Sequence, residues 1–125
     1  MTKKILIADD SLVIVQMMKS ALETQGYEVV TAMDGEEALQ KATSEHPDLI
    51  ILDIMMPKMD GYTVNLRLKE MPDTKETPVI ISSGKGQMRE LFRMDEKSKI
   101  AGYLEKPFPL SLLVDTIKST LDKIK

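Results

Sequence analysis

The segment Leu49-Ile50-Ile51-Leu52-Asp53 places four consecutive apolar residues directly before an aspartate. Successive side chains of a β-strand point to opposite faces of the sheet, so a strand that is apolar throughout is expected to be covered on both faces. Strands of this kind are typical of the centre of a parallel sheet. We therefore predict a central strand over residues 49–52, with Asp53 at its carboxyl end.

The same arrangement, an apolar run followed by polar residues, recurs at three further places. Residues 5–8 precede the Asp9-Asp10 pair, residues 79–81 precede Ser82-Ser83, and Tyr103-Leu104 comes shortly before Lys106. If these runs are parallel strands of one sheet, their polar ends meet at its carboxyl edge, where open α/β sheets bind ligands. The side chains expected to meet there are Asp9, Asp10, Asp53, Ser83 and Lys106.

Five strand-then-helix units can be traced along the chain. The predicted strands cover residues 4–8, 28–32, 49–52, 79–82 and 101–104. The first three predicted helices run from the Ser11 cap to Gly26, from Asp34-Gly35 to near Glu45, and from Gly61 to about Glu70. The fourth covers residues 87–97, and the fifth starts at Pro109. The fifth has an apolar stripe of Leu110, Leu113, Val114, Ile117, Leu121 and Ile124. Alternation of this kind predicts a doubly wound α/β fold with a five-stranded parallel sheet. The polar second strand suits an edge, which gives the flavodoxin-like order 2-1-3-4-5.

The composition limits the function classes. At 125 residues we expect a single domain over residues 1–125, and the 42% hydrophobic and 30% charged content is ordinary for a globular chain. The net charge of −3 with interspersed signs disfavours direct nucleic-acid binding, and zero cysteines exclude thiolate metal sites. No apolar run suits a signal peptide or a membrane span, so we expect a soluble cytoplasmic protein without membrane partners.

The three aspartates at the predicted edge favour a metal site. Carboxylates brought together raise one another's pKa unless a cation neutralises them, and all-oxygen ligands favour a hard ion such as Mg²⁺. We expect Asp10 and Asp53 to bind Mg²⁺ directly, Asp9 to act through a water, and the backbone carbonyl of Met55 to be a further ligand.

An aspartate beside Mg²⁺ can also act as a nucleophile and form an aspartyl-phosphate. In that chemistry Asp53 accepts the phosphoryl group, Lys106 neutralises charge, and Ser83 donates a hydrogen bond to a phosphoryl oxygen. A single aspartate at a strand end is more often a cap or a turn residue. It is the coincidence of five such residues at one edge that favours function.

Taken together, the chain resembles the receiver domain of two-component response regulators, the CheY-like family. The resemblance rests on segments that span nearly the whole chain: Ile5-Leu6-Ile7-Ala8-Asp9-Asp10-Ser11, Asp48 to Pro57, Met59-Asp60-Gly61-Tyr62, Thr77-Pro78-Val79-Ile80-Ile81, and Gly102-Tyr103-Leu104-Glu105-Lys106-Pro107-Phe108. It implies that a histidine kinase or phosphotransfer protein phosphorylates Asp53, that Asp9 and Asp10 bind Mg²⁺, and that the bond from Lys106 to Pro107 is cis.

The resemblance also implies a conformational switch. Ser83, with Ser82 as the second choice, is the expected switch hydroxyl, and Tyr103 is the expected aromatic switch that turns from exposed to buried. Helix four, strand five and helix five would then present a changed face to a protein target. The sequence departs from the family pattern at Gly84 and over residues 99–102, both of which bear on this output face. We expect a monomer or a phosphorylation-dependent dimer that catalyses only its own phosphorylation and dephosphorylation.

Three other functions stay open from the residues alone. An aspartyl-phosphate phosphohydrolase commonly has a second acid two residues after its nucleophile, where this chain has Met55. A nucleotide or flavin binder is disfavoured because the first strand ends in Asp9-Asp10 and not in a glycine-rich turn. A non-phosphorylated scaffold of the same fold is disfavoured by the intact acidic site.

Overall fold

The computed structural model describes residues 2–84 and 99–123. Within these ranges the chain forms five strands and four helices. The strands are β1 (Lys4–Ala8), β2 (Glu28–Ala32), β3 (Leu49–Asp53), β4 (Val79–Ser83) and β5 (Gly102–Glu105). The helices are α1 (Leu12–Thr24), α2 (Gly35–Ser44), α3 (Gly61–Glu70) and the C-terminal helix (Leu110–Asp122). The predicted fourth helix over residues 87–97, and Ile124 of the predicted fifth, lie outside the described residues.

All five strands are parallel and lie in the order β2-β1-β3-β4-β5, which confirms the predicted doubly wound topology. The central strand β3 is buried at every position. Its register with β1 aligns Ala8 with Leu52, so Asp9 and Asp53 follow side by side at the carboxyl edge.

Two apolar layers cover the sheet. The first, here called the α1 face, contains Ile7, Ile51, Ile80 and Leu104, which pack against buried residues of α1 and of the C-terminal helix. The second, the α2–α3 face, contains Leu6, Leu52 and Ile81 and packs against α2 and α3. Alternating side chains of each strand therefore enter one layer or the other, as the apolar run of β3 predicts.

This alternation fixes the directions of the polar residues at the carboxyl edge. Asp9, Asp53 and Ser82 each lie two positions after a residue of the α1 face, and they therefore belong to that face. Lys106 stands in the same relation to Leu104. Ser83 follows Ile81 by two positions and belongs to the α2–α3 face.

Side-chain caps begin three of the helices. Ser11 accepts a hydrogen bond from the amide of Ile14, Asp34 from Glu37 and Asp60 from Thr63. Each cap satisfies an amide that the first helical turn would leave unpaired, which explains why the helices begin directly after these residues.

Several predicted boundaries were wrong by one residue. β3 and β4 each include one further residue, Asp53 and Ser83, because the ladder continues through the pairs Asp53↔Ser82 and Ser83↔Glu105. β5 begins at Gly102 and, through the pair Ser83↔Glu105, ends at Glu105. The polar side chains at these positions suggested that the strands had ended. Backbone pairing continues because it does not depend on side-chain polarity. α2 ends at Ser44 with Glu45 as its cap, in agreement with the predicted end near Glu45. None of the helices within residues 2–84 and 99–123 has the length and apolar character that crossing a membrane requires.

Candidate functional site

The carboxylates of Asp9, Asp10 and Asp53 lie together at the carboxyl edge of the sheet. Each offers an oxygen within 4.8 Å of the others, and the burial differs: Asp9 and Asp53 are buried, whereas Asp10 is exposed. Two of the three therefore lie at the floor of the crevice and one at its rim. This is the grouping that the strand ends predicted.

Local hydrogen bonds hold Asp9 in place. Its Oδ1 accepts a hydrogen bond from the amide of Ser11 at 2.9 Å, and its own amide donates to the carbonyl of Ala32 at 3.1 Å. The carboxylate is thereby fixed between the end of β1 and the start of α1. Its second oxygen, Oδ2, remains directed into the crevice, where it meets Lys106.

Lys106 reaches across the sheet edge to these carboxylates. Its Nζ lies 2.6 Å from Asp9 Oδ2 and 3.6 Å from Asp53 Oδ1. The backbone of the same residue is tied to β4, because the Lys106 amide donates to the carbonyl of Ser83 at 2.8 Å. The bond from Lys106 to Pro107 is cis, as the resemblance implied. The lysine thus supplies a positive charge beside two buried carboxylates.

The pKa of Asp53 is raised from its ordinary value of 3.8 to about 6. Burial is the largest cause and the charge of Asp9 the next, with a smaller contribution from Asp10. The Lys106 ammonium and a hydrogen bond from the Met55 backbone oppose the rise. A single lysine therefore does not compensate for three carboxylates, and the site favours a further cation.

The donor set fits Mg²⁺. Its side-chain ligands are all carboxylate oxygens within reach of one ion, and this is the chemistry that hard divalent cations prefer. The exposed position of Asp10 leaves the rim open to water and to phosphate oxygens, which Mg²⁺ usually retains as ligands. Asp9, Asp10 and Asp53 are the side chains that would hold the ion, and the Met55 carbonyl stays a prediction.

A family model for the response regulator receiver domain matches residues 5–118 of this chain. The chain belongs to this family. The receiver domain is 41% identical over 115 residues to the alkaline phosphatase synthesis transcriptional regulatory protein PhoP of Bacillus subtilis, covering 86% of this chain and 44% of the relative. It is 38% identical to protein PilG of Pseudomonas aeruginosa, covering 93% of this chain and 85% of that protein.

Solved structures show the same fold. The chemotaxis response regulator CheY4 of Vibrio cholerae is 34% identical with a TM-score of 0.87, over 96% of this chain and 99% of that one. The receiver domain of the Francisella response regulator 1452 is 32% identical with a TM-score of 0.88, over 99% and 100% of the two chains. The chain spans less than half the length of some curated relatives that it matches, such as PhoP at 44%.

The loop after β3 in this receiver domain packs tightly against Asp53. The Gly61 amide donates to the carbonyl of Ile54 at 2.9 Å, and a Cβ on Gly61 would lie 2.1 Å from the carbonyl oxygen of Asp53. The first turn of α3 therefore presses directly on the backbone of Asp53, and only glycine allows this approach. The Met55 side chain points outward and is 59% exposed.

Ser83 and Tyr103 share the α2–α3 face. Ser83 is fully buried, and Tyr103 pairs in register with Ile81, two residues before Ser83. Tyr103 is half-buried and packs against the apolar layer of that face. The hydroxyl and the aromatic ring are therefore neighbours on adjacent strands, and their switching roles stay predictions.

Sequence reasoning missed two contacts of this site. It did not predict that Lys106 would lie closer to Asp9 than to Asp53, and the water-mediated role expected of Asp9 stays a prediction. It also missed the contact of Gly61, which nothing short of the loop geometry reveals. The sequence could have placed Ser82 on the α1 face together with Asp53, because Ser82 lies two strand positions after Ile80.

Proposed function

We propose that this receiver domain accepts a phosphoryl group on Asp53 from a histidine kinase or a phosphotransfer protein. The observation that carries the proposal is the buried Asp53 carboxylate, grouped with Asp9 and Asp10 and lying 3.6 Å from the Lys106 ammonium. Phosphoryl transfer needs positioning and charge neutralisation, and this arrangement supplies both around one nucleophile.

The transfer exchanges one bond for another. The bond between phosphorus and the donor's imidazole nitrogen breaks, the nitrogen keeps the electron pair, and an Asp53 carboxylate oxygen bonds to phosphorus. Lys106 then faces a group that carries more negative charge than the carboxylate it replaced. Mg²⁺, when bound by the three carboxylates, supplies charge neutralisation for the phosphoryl oxygens. Hydrolysis by water returns Asp53 and releases phosphate.

The phosphorylated domain would signal through a switch that begins at Ser83. Ser83 directly follows Ser82, the register partner of Asp53, and Tyr103 lies on the same face as Ser83 in the adjacent strand, which supports a switch in which the Ser83 hydroxyl turns toward the phosphoryl group and Tyr103 follows. The predicted output face of helix four, strand five and helix five includes residues outside the described part of the chain. Its target is a protein, and residues 1–125 act as one cytoplasmic receiver domain with no enzymatic role beyond its own phosphorylation and dephosphorylation.

The apolar surface beside Lys106 is the proposed docking site of the phosphodonor. Leu12, Val13 and Met17 of α1 are 61%, 69% and 53% exposed. A cleft of about 220 Å³ adjoins this surface and is lined by Met17 of α1, by Lys106 and by Phe108. Because Lys106 also contacts Asp9 and Asp53, a partner seated on α1 would lie next to the acidic site.

The function is tested by incubating the protein with Mg²⁺ and acetyl phosphate and recording the intact mass. We expect one added phosphoryl group on the wild type and on the control Asp73→Asn, whose aspartate is exposed on a loop. We expect none on Asp53→Asn, and none in EDTA. Absence of the adduct with acetyl phosphate, phosphoramidate and histidine kinases would instead support the scaffold function.

Turnover of a phosphorylated metabolite tests the phosphohydrolase alternative. A receiver releases phosphate only as fast as its own aspartyl-phosphate decays, whereas a phosphohydrolase turns over phosphorylated metabolites many times. The side chain two residues after Asp53 is the thioether of Met55, which cannot act as a general acid or base. Multiple turnover of a phosphorylated metabolite would favour the enzyme.

A further inference from the structure

The hydroxyl of Ser82 is buried without a hydrogen-bond partner. Ser82 is fully buried, and its Oγ bonds to no group within residues 2–84 and 99–123. A buried polar atom left without a partner costs folding free energy, so such atoms are uncommon and often have a functional reason. Alanine or valine would fill this strand position at no such cost.

Ser82 lies directly beside the phosphoacceptor. The ladder pairs Asp53 with Ser82, and Ser82 in turn with Leu104. Side chains paired in register point to the same face of the sheet. Ser82 therefore extends the row of Asp9 and Asp53 on the α1 face, whereas Ser83 belongs to the opposite face.

Lys106 is held close to the strand position of Ser82. Its Nζ contacts Asp9 at the end of β1, and its amide donates to the carbonyl of Ser83 at the end of β4. Because β4 and β3 lie between β5 and β1, the lysine side chain points from the end of β4 toward β1. On the α1 face, the residue at the end of β4 is Ser82.

We propose that Ser82 positions Lys106 for phosphoryl transfer, a role that rests on the function proposed above. An ammonium group has three N–H donors, and that of Lys106 contacts Asp9 most closely in this structure. As the phosphoryl group forms on Asp53, its negative charge draws the ammonium away from Asp9 and back along the row. There the Ser82 hydroxyl oxygen accepts a hydrogen bond from one N–H of the ammonium and holds the lysine against the phosphoryl oxygens.

The substitution Ser82→Ala tests the role with two measurements. The first is the rate of phosphoryl uptake from acetyl phosphate with Mg²⁺, followed by intact mass, which we expect to fall about tenfold, the scale of one hydrogen bond to a charged group. The second is the midpoint of urea unfolding in EDTA, which we expect to be unchanged or raised because an unpaired buried hydroxyl is removed. A hydroxyl with only a structural role would lower the midpoint.

Three further variants isolate the hydroxyl. Ser82→Thr and Ser82→Val have the same shape, and only the first retains a hydroxyl, so we expect the threonine variant to react faster than the valine variant. Thr74→Val removes a buried hydroxyl that does have a partner, the carbonyl of Leu68 at 2.7 Å. We expect that control to unfold at lower urea and to react at the wild-type rate.

The background Lys106→Met decides whether Ser82 acts through the lysine. We expect Ser82→Ala to cause no further loss there. An equal loss in both backgrounds would show that the hydroxyl acts on Asp53 directly, and a wild-type rate in Ser82→Ala would show that it has no role; either result overturns the proposal. Failure of the wild type to react would overturn the proposed function itself, which separates the two conclusions.

Discussion

The Lys106 ammonium lies 2.6 Å from a carboxylate oxygen of Asp9, although the two residues are 97 positions apart. Asp9 is almost fully buried and the Lys106 side chain is only 20% exposed. The contact therefore links the end of β1 to the segment after β5, in a site that is only partly accessible to water. In such surroundings the loss of one partner leaves the other as an unpaired buried charge.

We expect Lys106→Met to destabilise the metal-free protein by about 2 kcal/mol, because it leaves the buried Asp9 carboxylate without its cation. The measurement is urea unfolding in EDTA at neutral pH. Lys58→Met is the matched control, because Lys58 is 60% exposed and lies 3.7 Å from Asp34. A change within about 0.5 kcal/mol is expected for the control, as for most exposed ion pairs. Equal losses in the two variants would contradict the prediction.

A second prediction concerns the pH dependence that Asp53 gives to stability. In the folded protein its pKa is about 6, above the ordinary 3.8, chiefly because of burial and then of Asp9. Well below about pH 4 the Asp53 carboxyl is protonated in both the folded and the unfolded state, and its raised pKa does not affect stability. Between about pH 4 and pH 6 the unfolded state loses this proton before the folded state does, so folding stability falls; above this range both states are ionised and the loss stays constant.

Asparagine cannot ionise, so Asp53→Asn avoids this cost. We expect the variant to match the wild type at about pH 3 and to exceed it above about pH 7 by at most about 3 kcal/mol in EDTA, the equivalent of a shift of about two pKa units. Urea unfolding across this pH range measures the difference. The exposed Asp73→Asn serves as the control and is expected to follow the wild type throughout. A stability difference that does not vary with pH would rule out the proposed cause.

The sequence sufficed to predict the parallel sheet and most of the site. The apolar runs before Asp9, Asp53 and Lys106 mark strands whose ends must meet at one edge, and the order of strands follows from which runs are apolar throughout. The pattern of apolar residues predicts which strand positions are buried, and the number of buried faces decides whether a strand lies at the centre or at the edge of a parallel sheet. That is why residues far apart in the chain were correctly grouped.

The remaining features depend on geometry that periodicity does not encode. One such feature is which carboxylate the Lys106 ammonium approaches more closely, since its Nζ lies 2.6 Å from Asp9 and 3.6 Å from Asp53. The strand ends continue through the pair of Asp53 with Ser82 because backbone hydrogen bonds are indifferent to polar side chains. The close contact of Gly61 with the backbone of Asp53 depends on the path of the loop after β3, and the presence of a glycine alone does not predict that path.

The third prediction tests that contact. A Cβ on Gly61 would lie 2.1 Å from the carbonyl oxygen of Asp53, a backbone atom that cannot move aside without shifting β3. We expect Gly61→Ala to destabilise the protein by about 2 kcal/mol or more and to slow phosphorylation, because the phosphoacceptor moves with its strand. In Gly102→Ala the nearest atoms are side-chain carbons at 3.6 Å, so this control is expected to fold normally. Comparable stability of the two variants by urea unfolding would show that the loop adapts.

The fourth prediction concerns the apolar surface of α1, on which the phosphodonor is proposed to dock. Val13 is 69% exposed, so Val13→Glu is expected to leave the fold intact while placing a charge on that surface. We expect the variant to accept phosphoryl groups from acetyl phosphate at the wild-type rate, because Asp53 and Lys106 are unchanged. Transfer from a histidine kinase that phosphorylates the wild type is expected to slow about tenfold, since burying an unpaired charge in an interface is costly.

The comparison of the two donors separates docking from chemistry. Glu23→Gln, an exposed substitution near the other end of α1, is the control and is expected to behave as wild type with both donors. If Val13→Glu also slowed phosphorylation by acetyl phosphate, the substitution would be acting on the acidic site and not on docking. An unchanged rate with the kinase would mean that the donor docks elsewhere, and the exposed apolar residues of α1 would then need another partner.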